Sequence, residues 1–186
     1  MFSNAKNNLV LILLIIFLFV CTTLILVISF KTGEGYDNIA YADSYGLYVA
    51  NVAVTSDNLT IDNEDNSAIS SGQAVFDSES NTLTLTDFSY TGPGYNSSGE
   101  GGAIDYRGGN NLTIVLVGTN TITKSEDNGI NNSYGIYFNS NNHSLIMEGE
   151  GSLTISFSSS RTGSKSNGIF CEPGAFVMNG GTVTSN

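Results

Sequence analysis

The sequence predicts an all-β chain, a parallel β-helix (solenoid) preceded by one N-terminal hydrophobic helix. Three observations carry that expectation. A unit opening on a Gly-Ile or Ala-Ile strand recurs: Ile104 to Ile136 is 32 residues and Ile136 to Ile169 is 33. Within each unit apolar and polar residues alternate over short segments separated by Gly and Asn, which is the pattern of strands with one buried face. An uncharged apolar run occupies residues 9–30, and no helical period follows it.

The N-terminal element is read first. Residues 9–30, LVLILLIIFLFVCTTLILVISF, number 22, and at about 1.5 Å rise per residue they reach across a hydrocarbon core of about 30 Å. The run exceeds the usual apolar core of a secretory signal. Yet Ala40-Tyr41-Ala42 matches a small-x-small cleavage site. Two readings of residues 1–42 therefore stand: a long signal peptide cut after Ala42, or a retained anchor that meets the membrane through residues 9–30. Both place residues 43–186 outside the cytoplasm, on the outer face of the membrane, at the cell surface or secreted. The chain carries 17 Asp/Glu against six Lys/Arg, a net charge of −11. That balance excludes a nucleic-acid partner, because phosphate binding requires a basic surface. Two cysteines cannot make a disulfide scaffold, and Cys21 lies inside the apolar run. Beyond residue 30 roughly a third of the chain is apolar, below the usual 45–50 % of globular domains. A narrow, regular core running along a solenoid suits that supply.

Residues 43–100 are read as an N-terminal cap and a degenerate first coil. Tyr45 to Val49 and Val52 to Val54 read as strands, and Thr82-Leu83-Thr84-Leu85-Thr86 as part of an incomplete unit. Residues 101–186 are the coils. Each has a Gly-Ile strand, a polar turn, a second strand (Leu112-Thr113-Ile114, Leu145-Ile146-Met147, Phe176-Val177-Met178), a Gly turn and a closing strand (Thr121-Ile122-Thr123, Leu153-Thr154-Ile155, Thr182-Val183-Thr184). Strand alternation assigns the faces. Ile104/Ile136/Ile169 and Tyr106/Phe138/Cys171 point inward, with Leu112/Leu145/Phe176, Ile114/Met147/Met178 and Ile122/Leu153/Val183 as further inner columns. Asp105, Tyr137 and Phe170 point outward, followed by Arg107, Asn139 and Glu172. The pairs Asn110-Asn111 and Asn141-Asn142 are expected to stack as a side-chain ladder. The last strand ends the chain with no cap in view, which suggests a fragment or an end covered by another molecule.

The segments LYVANVAVT, VFDSESNTLTLTDFSYTG, NLTIVLVGTNTIT, GEGSLTIS and NGGTVT, in that order, resemble a group of exported bacterial proteins known as carbohydrate-binding domain proteins. The resemblance spans roughly residues 45–186. It implies the right-handed parallel β-helix of the pectate-lyase type and a non-catalytic surface protein that binds acidic plant polysaccharide, with calcium as a candidate cofactor.

The residues themselves offer little for catalysis. The single His143 stands in a turn without a second His nearby, and Cys171 fills an inner column. Gly101-Gly102 and Gly108-Gly109 read as turn glycines. A polysaccharide lyase on this fold would need calcium-holding acids beside a base. Asp105 and Arg107 share a strand face, but the equivalents of Asp105 are Tyr137 and Phe170. Calcium wants six to eight oxygens. Asp62, Glu64 and Asn66 stand at alternate positions, but Ser67 occupies the place where a calcium loop wants Gly. Binding fits better. Sugar sites set aromatic faces beside polar groups, and Tyr137 with Phe170, flanked by Asp105, Arg107, Asn139 and Glu172, forms such a set. The competing expectation is that loop 125–133 or loop 158–167 folds over those rings. The readings rank as polysaccharide binder, then structural or adhesive surface stalk, then lyase, with no cofactor required.

Overall fold

Strands β1 (Ser44–Val49) and β2 (Val52–Thr55) are joined by Ala50 and Asn51, both at positive φ (52° and 66°). Two such residues match the twist of an antiparallel hairpin. Then come β3 (Thr60–Ile61), β4 (Ile69–Asp77) and the long β5 (Thr82–Gly92). Three triplets follow: β6 to β8 (Glu100–Tyr106, Leu112–Val117, Thr119–Lys124), β9 to β11 (Asn132–Phe138, His143–Gly149, Ser152–Phe157) and β12 to β14 (Lys165–Cys171, Gly174–Met178, Thr182–Ser185). The structure is a computed structural model and describes residues 42–125, 132–158 and 165–186. All regular structure among these residues is β. The apolar run 9–30 lies outside them; among the described residues no helix is long and apolar enough to cross a membrane.

The triplets stack in parallel, strand on equivalent strand. β6, β9 and β12 pair through Ile104↔Ile136 and Ile136↔Ile169. β7, β10 and β13 pair through Leu112↔Leu145 and Leu145↔Phe176. β8, β11 and β14 pair through Ile122↔Ile155 and Leu153↔Val183. The expected all-β stacking at the 32–33-residue repeat is therefore present. One sheet runs β12-β9-β6-β1-β2. The other runs β13-β10-β7-β5-β8-β11-β14, with β3 and β4 attached to β5.

That second sheet is continuous because β5 does the work of two strands. Its first half lies beside β7 (Thr82↔Thr113) and its second half beside β8 (Ser89↔Thr121). The bend between the halves falls at Asp87, at φ 48°. The start of β8 holds it: Thr119 N donates to Asp87 Oδ1 (3.0 Å) and Phe88 N donates to Asn120 Oδ1 (2.9 Å). Gly118 makes the approach, since a Cβ there would lie 2.0 Å from Asp87 Oδ1 and its φ is +67°. Residues N-terminal to β6 otherwise pair antiparallel: β1 lies on β6 (Tyr48↔Asp105), and β4 lies on β5.

The core runs between the two sheets along the stack. Ile104, Ile136, Tyr106, Phe138, Leu112, Leu145, Ile114 and Met147 are all buried, as alternation requires. Burial then lapses at the last triplet, where Phe176, Val177 and Met178 are exposed.

Two sequence expectations are corrected here. Ile122 does not share a column with Leu153; it aligns with Tyr90 and Ile155, while Leu153 aligns with Asn120 and Val183. Register is fixed at the turn, where Ser152 N donates to Gly118 O (2.9 Å), so a buried Asn stands where the next triplet has Leu. Asn120 is fully enclosed, and its amide donates to Val117 O (3.2 Å) and Ser152 O (3.0 Å). The second correction concerns the Asn ladder. Asn110-Asn111 faces His143-Ser144, not Asn141-Asn142, given Leu112↔Leu145. The rungs are side chain to backbone: Asn81 Nδ2 donates to Asn111 O, and Ser144 N donates to Asn111 Oδ1 (2.8 Å).

Candidate functional site: an outer row on the first sheet

Register brings four side chains into one row across the first sheet. Tyr48 on β1 pairs with Asp105 on β6, Asp105 with Tyr137 on β9, and Tyr137 with Phe170 on β12. These are the positions that alternation turns away from the Ile104/Ile136/Ile169 column. Neighbouring strands sit about 4.8 Å apart, so like residues stack: the Tyr137 and Phe170 rings are 5.3 Å apart and nearly parallel (8°). Tyr134 joins them, at 5.0 Å from Tyr137 and 4.8 Å from Phe170.

Arg107 is the hinge of the row. Its Nε donates to Asp105 Oδ1 (2.7 Å) and its Nη2 to Asp105 Oδ2 (3.1 Å), a forked pair. The same guanidinium lies 4.6 Å from the Tyr137 ring centre and 6.0 Å from that of Tyr95, within cation–π range. Tyr95 reaches the row from the segment after β5 and stacks on Tyr48 at 3.6 Å. Gly101 and Gly102 permit this. They are not turn glycines but part of β6, and that segment lies on them: Tyr95 N donates to Gly102 O (2.9 Å), and a Cβ on Gly101 would meet Tyr95 O at 1.7 Å.

Burial sorts these groups. Asp105 is 0 % exposed and Tyr137 2 %. The expectation of an open Tyr137 face is thus corrected: the side chain points away from the core, but Arg107, Tyr134 and Phe170 cover it. Its hydroxyl donates to Glu100 Oε2 (2.9 Å) and accepts from Asn139 Nδ2 (3.0 Å). Phe170, Tyr48, Tyr95 and Arg107 are half-buried, and Asn139 and Glu172 are exposed. The structure therefore brings all six sequence-derived residues to one place, with Glu172 and Asn139 at the rim. Loops 125–133 and 158–167, proposed as covers, fall largely outside the described residues.

Electrostatics follow burial. Desolvation raises the Asp105 carboxyl above its ordinary range although Arg107 pulls the other way, and the bond to Asp105 raises Arg107 in turn. Burial raises Tyr137 and Tyr134, and the contact with Tyr95 raises Tyr48. A polar cleft lined by Ser44, Asn81, Arg107, Gly108 and Asn110 opens beside the row.

Sequence reasoning missed Tyr48, Tyr95, Tyr134 and Glu100. Tyr48 and Tyr95 arrive through the antiparallel pairing of β1 and of the segment after β5 on β6, which no repeat announces. Tyr134 aligns with Gly102, so it has no column to betray it.

The other candidates resolve into structural roles. Asp62 Oδ1 accepts from Glu64 N (2.8 Å), while Asn66 donates to Ala50 O (2.6 Å) and accepts from Ala68 N (2.9 Å). Asp62 and Asn66 are thus engaged in holding their own turn. Among the described residues no three of His, Cys, Asp and Glu gather as a metal site. Cys171 is half-buried with its Sγ toward Ala175 O (3.4 Å). No protein-family model matches this chain, and no curated protein or solved structure matches it.

Proposed function

We propose that this chain is a non-catalytic, exported, right-handed parallel β-helix that binds polysaccharide on the outer face of its first sheet. The observation that carries the reading is the row itself: half-exposed Tyr48, Tyr95 and Phe170 around a stacked Arg107, with Asn139 and Glu172 at the rim and a polar cleft alongside. Aromatic surface beside hydrogen-bonding groups is what a pyranose ring and its hydroxyls require. Right-handedness is supported by the parallel stacking, since crossovers between parallel strands of one sheet are right-handed in about 98 % of cases. Export rests on the apolar run at residues 9–30. A non-catalytic role is supported by Arg107, whose pairing with Asp105 strengthens its hold on its proton, the opposite of what a general base needs. The test is retention of the full chain on immobilised polysaccharides. Phe170→Ala and Arg107→Ala are expected to reduce retention at least tenfold; unchanged retention would place binding elsewhere.

A second reading, a structural or adhesive surface stalk, is favoured by one observation. Phe176 and Met178 occupy the column of Leu145 and Met147, yet are 45 % and 44 % exposed, and β13 and β14 each pair on one side alone. Such an edge accepts a further strand. Concentration-dependent self-association by sedimentation, abolished in Phe176→Asp, would support this reading; a monomer at all concentrations would oppose it.

A further inference from the structure

Resting on the polysaccharide reading, we infer that the Arg107 face selects neutral glycans over polyuronates. The described cation of the row is already matched: both ends of the Arg107 fork are on the fully buried Asp105 carboxylate. A uronate carboxylate competing for the Nε/Nη2 edge of Arg107 would weaken its hold on the buried Asp105 carboxylate, a costly exchange. Charge around the row points the same way. Among the described side chains, Asp105, Glu100 and Glu172 stand against Arg107 and the buried Lys124, whose charge acts on Asp105.

Hydrogen-bond polarity agrees. Glu172 is an exposed acceptor, and Glu100, already accepting from Tyr137 Oη and Asn132 Nδ2 (3.1 Å), is half-buried with lone pairs to spare. Carboxylates take O–H donors, which every neutral hexose supplies. A uronate carboxylate is itself acceptor-only and meets repulsion there. Calcium bridging would reverse this logic, but the column of Asp105 supplies no second acid, its equivalents being Tyr137 and Phe170.

The experiment is affinity electrophoresis of the full chain in gels holding hydroxyethyl cellulose, glucomannan or polygalacturonate, each with and without calcium. The expected result is retardation by a neutral polymer at a concentration at least tenfold below that needed for polygalacturonate, unchanged by calcium. Preference for polygalacturonate would overturn the selectivity while leaving the polysaccharide reading in place. Retardation by none would overturn both. Two variants sharpen the outcome. Asp105→Asn frees the guanidinium and is expected to raise polygalacturonate binding at least threefold. Glu172→Gln, at an exposed position that leaves the fold intact, is expected to raise it about twofold and to weaken neutral binding. If neither variant gains affinity for polygalacturonate, charge on this face does not set selectivity and the inference fails.

Discussion

The guanidinium of Arg107, just past the end of β6, lies 4.6 Å above the Tyr137 ring, while both arms of its fork hold the Asp105 carboxylate two residues before it. One cation thus caps an aromatic stack and neutralises a buried acid at once. Arg107→Lys keeps the charge but loses the planar fork. It is expected to lower stability by about 1–3 kcal/mol, and urea unfolding of the two proteins measures it.

Asp105 gives this pair a pH signature. Its carboxyl is held above the ordinary 3.8 by burial, so between that value and the elevated one the native state holds a proton that the unfolded chain has released. The associated stability is fully present below 3.8 and is lost as pH rises through the elevated value. Asp105→Asn, neutral at every pH, removes that slope. Unfolding free energies of both proteins from acid to neutral pH should show the wild-type advantage shrinking as pH rises; parallel curves would contradict the assignment.

Leu145 and Phe176 occupy one column but differ in cover, 0 % against 45 % exposed. Leu145→Ala is expected to cost about 2–5 kcal/mol, as cavities in packed cores do. Phe176→Ala should cost under about 1 kcal/mol, because little is unburied. Chemical denaturation separates the two. Equal losses would mean that Phe176 is covered in solution.

The corner at Asp87 supplies a backbone test. Gly118→Ala places a Cβ against Asp87 Oδ1 at positive φ, and is expected to destabilise by about 1–3 kcal/mol. Gly109, where a Cβ meets nothing within 4 Å, should accept Ala with almost no effect. Thermal melts of the two variants provide the comparison.

These cases show where the sequence is legible. Ile104, Ile136 and Ile169 could be aligned because each follows Gly or Ala in the same short pattern, and parallel register preserves such alignment along the stack. Asn120 broke the method. A polar residue satisfied by Phe88 N, Val117 O and Ser152 O is invisible to a hydrophobic count, which pairs Ile122 with Leu153. The outward set Asp105, Tyr137 and Phe170 was equally readable from alternation. The burial of Tyr137 was not, because its covers include Tyr134, off the alternating pattern, and an arginine folded back onto the ring. The dual role of β5 was hidden too, since it depends on a bend held by Ser71 from β4 and by Thr119 and Asn120 from β8.

The measurement that bears most directly on the central claim is affinity electrophoresis of the full chain and its Phe170→Ala variant in a soluble neutral polysaccharide. Phe170 is half-buried at the end of the row, so its truncation removes stacking surface without opening the core. The account expects clear retardation of the wild-type chain and at least a tenfold weaker effect on the variant. Equal migration of both, slowed or not, would contradict it.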